Sequence, residues 1–488
     1  MRCCFRKITV KNVCIGNFMI SSLFLTYQVA LTIYIQRLNI TACPKASTAP
    51  RNPSALEAPP APRSHARNVT RLNSNLYLAE HRFISSKCDN YVKVPNSDRK
   101  QSTKQPSGIF QCGNLFPYEK HTWHDIPTFQ TVSDGDLWIT SAFLDSRVKK
   151  GRVRIIVVSS QEYTTKNTVF CTLWYEKCKR VVSVKADLVH FAHWKPFWHR
   201  GYFYNCDTQV DGVPDYVSLS TKPCDNPDNL LEVKELKPYV GPTTIAHCLP
   251  TLHGLQDPYR MTEWLVLHQL NGIDHVYIYD MYSISQAVLN VINHFRNEGF
   301  VSVISWHITD QMAIQGFGQR AVLNDCTFRA YGKYKFISGY DIDEIIIPKS
   351  NETLKDFLNN YDKQGVNILQ FNRADFCTDR PELHSLYPSL RTLRYTQRKA
   401  FQSVGREPKP IARPEVVIQM GVHNVEQKAK GARLRMPSNN EALCHHYRFR
   451  GEADNHCNMV DTTVYRFKSQ LKSEVNKVLR KINIPEIN

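Results

Sequence analysis

The chain has 488 residues, 42% hydrophobic and 11% aromatic, a composition that builds a sizeable globular core and excludes a disordered or fibrous chain. Its length allows about two to four domains. With 62 Lys and Arg against 44 Asp and Glu, the formal charge is +18. A basic surface attracts anionic ligands, or is simply solvated. Nucleic acid is set aside, because the topology read next places most of the chain behind a membrane.

Lys11 and Arg37 bracket Asn12–Gln36, which holds no charged residue. That stretch is long enough to cross a bilayer as one helix. Arg2, Arg6, Lys7 and Lys11 precede it, so residues 1–11 are expected to stay cytoplasmic. A cleaved signal peptide is the competing reading. The apolar run is long for one, and no small-x-small cleavage site follows it closely. An uncleaved signal anchor, giving a single-pass type II membrane protein, is therefore expected over 12–36.

Residues 37–77 read as a stem. Pro44, Pro50, Pro53, Pro59, Pro60 and Pro62 forbid a continuous helix or sheet there. Of fifteen cysteines, Cys3, Cys4 and Cys14 lie in or before the span and the other twelve follow it. A lumenal, oxidising compartment permits disulfides among those twelve. Cys171 and Cys178 are close enough in sequence to bridge locally, and Cys43 can link two stems into a homodimer. No C-x-x-C pair supports a zinc ribbon. Asn68-Val-Thr70 and Asn351-Glu-Thr353 are glycosylation acceptors if lumenal; Asn39 sits too near the membrane.

A β-rich lobe is expected over 78–240, with strands at Arg152–Val158, Thr168–Tyr175 and Arg180–Val184. His193, Trp194, Trp198 and His199 cluster there, as a core corner or a surface for stacking glycans. The pattern changes near Pro242. Thr243–Leu249 reads as a strand, Tyr259–Leu270 as a helix ended by Gly272, and Asp274–Asp280 as a strand. Ser285 caps a helix running to Gly299, Val301–Trp306 is a strand, Gln319–Tyr331 a helix and Tyr334–Ser338 a strand. Such alternation predicts a parallel α/β sheet, with ligands beyond the strands' carboxyl ends. Thr353–Tyr361 reads as a helix, and Val366–Phe371 and Val416–Met420 as strands. Lys468–Ile482 places Leu471, Val475, Val478, Leu479 and Ile482 on one helical face, so 466–488 is expected to pack as a terminal helix on a catalytic domain of 241–465.

Asp341-Ile342-Asp343-Glu344 lies between two apolar runs. Asp341 and Asp343 are two apart, so on extended backbone they share a face. Two hard carboxylates suit a divalent cation that keeps waters and binds phosphates. A sugar nucleotide carries such a diphosphate leaving group. An isolated D-x-D is more often a solvated strand-end turn; the anchor, stem and α/β segment around it favour the functional reading. Gln319, Arg320, Asn324 and Asp325 share a helical face that either leads to a donor site or is an ordinary surface of ion pairs.

From about Ala246 to Arg448 the chain resembles glycosyltransferase family 92. The matching residues are Glu263-Trp264, Gly272-Ile273-Asp274-His275-Val276, Tyr279-Asp280, Gln319, Asn324-Asp325-Cys326, Asp341 to Pro348, Lys409, Arg413-Pro414-Glu415-Val416, His423 and His446-Tyr447-Arg448. Tyr118 to about Lys237 also looks like the region preceding that family's catalytic domain. The resemblance implies a GT-A-like nucleotide-sugar-binding domain, UDP-galactose as donor, Mn2+ or another divalent cation, and inversion to a β-linked galactose. It further implies a β1,4 linkage to terminal galactose or fucose of N-glycans, and a Golgi location.

Carried over by position, Asp341 and Asp343 match the metal-diphosphate motif, with His423 as a third metal ligand and His446 as its rival. Tyr279 and Asp280 match the uridine side. Gln319, Arg320 and Asp325 are expected to line the donor. An inverting transfer needs a general base. Asp375 after a strand is the leading candidate, with Asp379, Glu407 and Glu415 as rivals. Two other readings remain: a metal-assisted phosphodiester hydrolase, which needs a denser ligand set, and a non-catalytic lumenal glycan-binding protein that retains the fold.

Overall fold

The computed structural model describes residues 109–113, 129–133, 135–148, 151–191, 199–208, 212–226, 228–280, 284–307, 314–378, 389–400, 407–448 and 457–487. All belong to one of two compact units, Ser74–Asn488. The anchor and stem expected at 12–36 and 37–77, the acceptor Asn68, the candidate base Asp379 and the aromatics Trp194 and Trp198 lie outside the described residues. Among the described residues no helix is long and apolar enough to cross a membrane.

The amino-terminal part is all strand apart from short helical turns. β1 (Leu137–Asp145), β2 (Arg152–Ser160) and β4 (His199–Asp207) pair antiparallel. β3 (Phe170–Tyr175) pairs antiparallel with Arg180–Lys185 and Tyr216–Ser220, and Leu231–Glu235 joins both groups into one ten-stranded sheet. Alternate residues of these strands, such as Ile155, Val157, Cys171, Leu173, Tyr202 and Tyr204, make its core. Cys171 bonds Cys206 rather than Cys178, because β3 and β4 face each other across that core. Cys178 is itself disulfide-bonded.

The second sheet is the expected parallel one. β5 (Ile245–Leu252), β6 (His275–Asp280) and β7 (Val301–Ser305) run parallel, and β8 (Phe336–Gly339) runs parallel on the other side of β5. The spatial order β7-β6-β5-β8 reverses direction at β5. Such a switch opens a crevice beyond the carboxyl ends of the strands. Helices α1 (Pro258–Leu270) and α2 (Gln286–Asn297) follow β5 and β6. Asp257 caps α1 through its side chain, with Pro258 at the first position, and Ser285 caps α2. α3 (Gln319–Ala330) leads into β8.

α3 differs from the sequence expectation. Ala321 to Phe328 are all buried, so no face of this helix is an ordinary surface. Ala321, Val322, Leu323 and Phe328 share one core cluster with Phe143, Ile156 and Phe203 of the β-rich part and with Tyr277 and Ile337 of the parallel sheet. α3 is thus the layer between the two sheets. A Cβ on Gly339 would collide with the end of the buried Leu323 side chain, which would have to shift for β8 to lie as close to α3.

After β8 the chain leaves the parallel sheet. β9 (Glu344–Pro348) pairs antiparallel with β14 (Ala442–Arg448), which pairs in parallel with β11 (Arg373–Cys377). α4 (Leu354–Lys363) carries a capping box, Thr353 with Asp356. β10 (Ile368–Phe371) and β12 (Lys409–Ala412) extend the parallel sheet beyond β8 in antiparallel sense. The hairpin strand β13 (Val417–Met420) follows. Helix α5 (Lys468–Lys481) buries Leu471, Val475, Val478 and Leu479, in the same core cluster as Trp264, Val291 and Phe295 of α1 and α2.

Cys248 on β5 bonds Cys326 on α3, fastening the central strand to the shared helix. Removing a native disulfide typically costs about 2–4 kcal/mol. A Cys248→Ala/Cys326→Ala double variant should show that loss as an earlier urea midpoint; an unmoved midpoint would mean that packing alone holds α3.

Candidate active site

The acidic turn is positioned from below by buried polar anchors. His247 on β5 contacts Ser338 Oγ at 2.9 Å and the Tyr340 carbonyl at 3.1 Å, and His268 on α1 contacts the Tyr340 hydroxyl at 3.0 Å. Burial lowers both imidazoles, His268 to about 3, so both stay neutral and serve as structural partners. Trp264 donates its indole N–H to the Glu344 carbonyl at 3.2 Å. Asn271 donates to the Ile346 carbonyl at 2.8 Å. Glu263 accepts from the backbone N–H groups of Arg391 (2.8 Å) and Thr392 (2.7 Å). α1 therefore fixes both the turn and the segment at 391–394.

The turn itself closes reciprocally. Asp341 N–H donates to Glu344 Oε2 at 3.0 Å, and Glu344 N–H donates to the Asp341 carbonyl at 2.9 Å. Gln319 donates to Asp341 Oδ1 at 2.9 Å. Lys409, 1% exposed, sends its ammonium from β12 to Glu344 Oε2 at 2.7 Å and to Asp341 Oδ2 at 3.5 Å. Burial opposes that charge, but Glu344 and Asp341 outweigh it and hold the ammonium above its ordinary value.

Glu344, His446 and Asp375 stand in register across β9, β14 and β11. His446 reaches Asp343 Oδ2 with Nε2 at 3.4 Å, and Asp375 Oδ1 with Nδ1 at 3.3 Å. Burial pulls the imidazole down, but Asp343 and Asp375 outweigh it and raise it to about 9. Asp343 is raised by burial and lowered more strongly by His446, for a net fall. Arg373 completes the row, contacting Asp375 at 3.0 Å and Glu407 more closely still.

An open pocket of about 270 Å³ adjoins Asp341 through Gln319. Gly201 of the β-rich part, Ile314, Gly316, Gly318, Gln319, Arg320, Glu407 and His423 line it. The Trp306 indole holds its rim by donating to the Phe317 carbonyl at 3.1 Å. His423 is lowered to about 4, by burial first and then by Lys409, so it is neutral at neutral pH.

The residues expected at the site divide clearly. Asp341, Asp343, His446, Asp375 and Lys409 converge, and Gln319, Arg320, Glu407 and His423 line the adjoining pocket. Asp280 ends β6, half-buried. Two donor-site expectations are corrected. Asp325 is 0% exposed, and its carboxylate is taken by Ser141 (2.5 Å), Arg329 (2.5 Å) and the Tyr279 hydroxyl. Tyr279, also 0% exposed, therefore points into the layer between the sheets rather than at a ligand. Glu415 is likewise remote: it accepts from Tyr239 N–H at 3.2 Å and faces Arg413. The contact to Asp343 is made by His446, not His423. Asn351 is exposed. Lys409, Glu344 and Arg373 were not assigned roles from sequence; Glu344 belongs to the acidic turn itself, while Lys409 and Arg373 join the site only through pairing of strands distant in the chain.

The residues fit a divalent cation that would take the place of the Nε2 proton His446 holds against Asp343. Two donors each about 2.1 Å from one ion lie roughly 3 Å apart, near the 3.4 Å between His446 Nε2 and Asp343 Oδ2. Among the described residues no group of three or more His, Cys, Asp and Glu could hold a metal by protein ligands alone. A hard cation that takes one or two carboxylates and completes its shell with water and phosphate does not require one.

The acidic turn thus lies beyond a parallel strand and beside an open pocket. The chain belongs to glycosyltransferase family 92, whose model matches residues 243–485. It is 22% identical over 187 residues to beta-1,4-galactosyltransferase galt-1 of Caenorhabditis elegans, covering 37% of this chain and 42% of that protein. It is 24% identical over 221 residues to galactan beta-1,4-galactosyltransferase GALS3 of Arabidopsis thaliana, covering 43% and 42%. The chain thus spans about two-fifths of the length of these relatives. Glucosyl-3-phosphoglycerate synthase from Mycobacterium tuberculosis is similar at 12% identity over 50% of this chain and 81% of that one, with a TM-score of 0.23.

Breaking a buried ion pair from one side costs about 3–5 kcal/mol, because the remaining charge is stranded. Lys409→Met should lower stability by that order, and Lys409→Met/Glu344→Gln should recover much of it. Denaturant unfolding checks this; equal losses in both variants would deny the coupling.

Proposed function

We propose that this glycosyltransferase has a GT-A-like catalytic domain over 241–465 and moves galactose from UDP-galactose to a glycan acceptor, with inversion. The carrying observation is the Asp341–Glu344 turn with its His446 contact, next to the pocket behind Gln319. The two relatives named as β1,4-galactosyltransferases support galactose and a β1,4 linkage; the acceptor proposed with it is terminal galactose or fucose of N-glycans. The anchor at 12–36, the stem and the β-rich lobe of 78–240 complete a Golgi type II membrane protein with a lumenal head. The four disulfides among the described residues support an oxidising compartment.

Asp343 and His446 would hold Mn2+ or another divalent cation, which when bound offsets the diphosphate charge that develops as the sugar–phosphate bond breaks. The chain's own residues supply the rest. Gln319 and Lys409 hold the Asp341 carboxylate in place. Asp375 is buried between Arg373 and His446, so it orients the imidazole rather than meeting an acceptor hydroxyl. Glu407, whose side chain is 37% exposed on the pocket wall and braced by Arg373, is the carboxylate placed to take the acceptor proton.

With manganese and a panel of UDP-sugars, transfer from UDP-galactose should appear and vanish with EDTA. No transfer from any donor to galactose- or fucose-terminated glycans would oppose the reading. Asp343→Ala should cut transfer by about two orders of magnitude or more, the scale of losing one stabiliser of developing charge, with the fold intact by circular dichroism. Glu407→Gln should lower kcat with little change in the KM for UDP-galactose; an Asp375→Asn variant that alone had this effect would return the base to Asp375.

A further inference from the structure

The hairpin of β13 and Val425–Lys428 forms one wall of the pocket, with Val422 and His423 at its tip. It brings Glu426 against Arg320, which stands in the first turn of α3 and lines the same pocket. Both side chains of this ion pair are largely buried, 11% exposed for Arg320 and 12% for Glu426. Gln419 holds the second carboxylate oxygen, donating to Glu426 Oε2 at 2.6 Å. Gly421 leaves room for that carboxylate, since a Cβ there would come within 2.5 Å of Oε1.

The pair is not needed to fasten the hairpin. Asn324 on α3 donates to the Met420 carbonyl at 2.9 Å and accepts from the Met420 N–H at 2.9 Å. Val417, Met420 and Val425 pack in one core cluster with Val322. An ion pair that only joined two buried elements could be exchanged for apolar side chains at little or no loss. Its place on a pocket wall gives it another use. The pocket of about 270 Å³ falls just below the roughly 300–1,000 Å³ of drug-sized ligand sites, which suits one sugar ring rather than a whole sugar nucleotide.

Gln319 faces the acidic turn, where it donates to Asp341. Arg320 follows about 100° further round the helix, and its guanidinium goes to Glu426 instead. A guanidinium already compensated by a carboxylate is a poor anchor for a diphosphate, because the second anion would also meet Glu426. Its remaining N–H groups are still donors to a neutral oxygen. We propose that Glu426 neutralises and aims Arg320 so that it reads one hydroxyl of the transferred sugar, with Arg320 determining specificity and Glu426 as its positioning residue. The proposal rests on the reading of this pocket as the donor site.

The test uses the full-length protein with Mn2+, UDP, UDP-galactose and UDP-galactose analogues lacking the hydroxyl at C2, C3, C4 or C6. One analogue should lose about ten- to a hundredfold in kcat/KM, the scale of leaving a buried donor unpaired. Arg320→Gln should cost UDP-galactose a similar factor, yet leave that analogue and the Kd of UDP within about twofold of their former values. Arg320→Lys should keep part of the preference. Glu426→Gln should erode the same preference while UDP binds at least as tightly, because a negative charge has left the pocket wall. Weaker UDP binding in Arg320→Gln or Glu426→Gln would overturn the proposal, and so would an equal loss for every analogue. Calorimetric titration with the same nucleotides reads the preference without turnover. Transfer that ignores these substitutions would sink the pair's role and leave the galactosyltransferase reading standing. A sugar preference in binding that Arg320→Gln abolishes, without any transfer, would do the reverse.

Discussion

The buried ammonium of Lys409 is the contact on which the site depends. It comes from β12 of the parallel sheet and ends between Asp341 and Glu344, where the chain crosses into the second sheet. Glu344 has 2% exposure and cannot remain charged there without a partner. Its backbone closes the turn, and its side chain faces both Lys409 and the Asp341 N–H. The carboxylates that face solvent are thus aimed by one that does not. His446 and Asp375 stand beside Glu344 on successive strands, so charge alternates across the row and each group fixes its neighbour.

α3 plays the corresponding part for the pocket. It is packed on both sides, and its buried Asp325 is satisfied by Ser141 of the β-rich part, Tyr279 of β6 and Arg329 of its own last turn. That triple contact ties three layers together. Gln319 and Arg320, at the open end of the same helix, are then presented to the pocket by a rigid element. Gly201 of β4 lines that pocket as well, so the β-rich part shapes the site rather than merely preceding it.

Much of this was legible in the chain. Capping residues, helical spacing and alternating runs gave the parallel sheet, because local periodicity reports which face is buried. The acidic turn was legible because apolar strands flank it. Lys409, Arg373 and the register of His446 against Glu344 and Asp375 were not, since pairing between strands far apart in the chain leaves no local trace. Asp325 and Tyr279 were misplaced for a related reason: helical spacing says which residues share a face, not whether that face meets solvent or another sheet. The choice between His423 and His446 was open for the same cause.

The central claim is that Asp343 and His446 together hold the cation at this turn. Electron paramagnetic resonance titration of Mn2+ in the presence of UDP tests it directly. The account predicts one site per chain, weakened by roughly ten- to a hundredfold or more in His446→Ala and much less in His423→Ala. Undiminished Mn2+ binding in His446→Ala, with loss in His423→Ala, would contradict it.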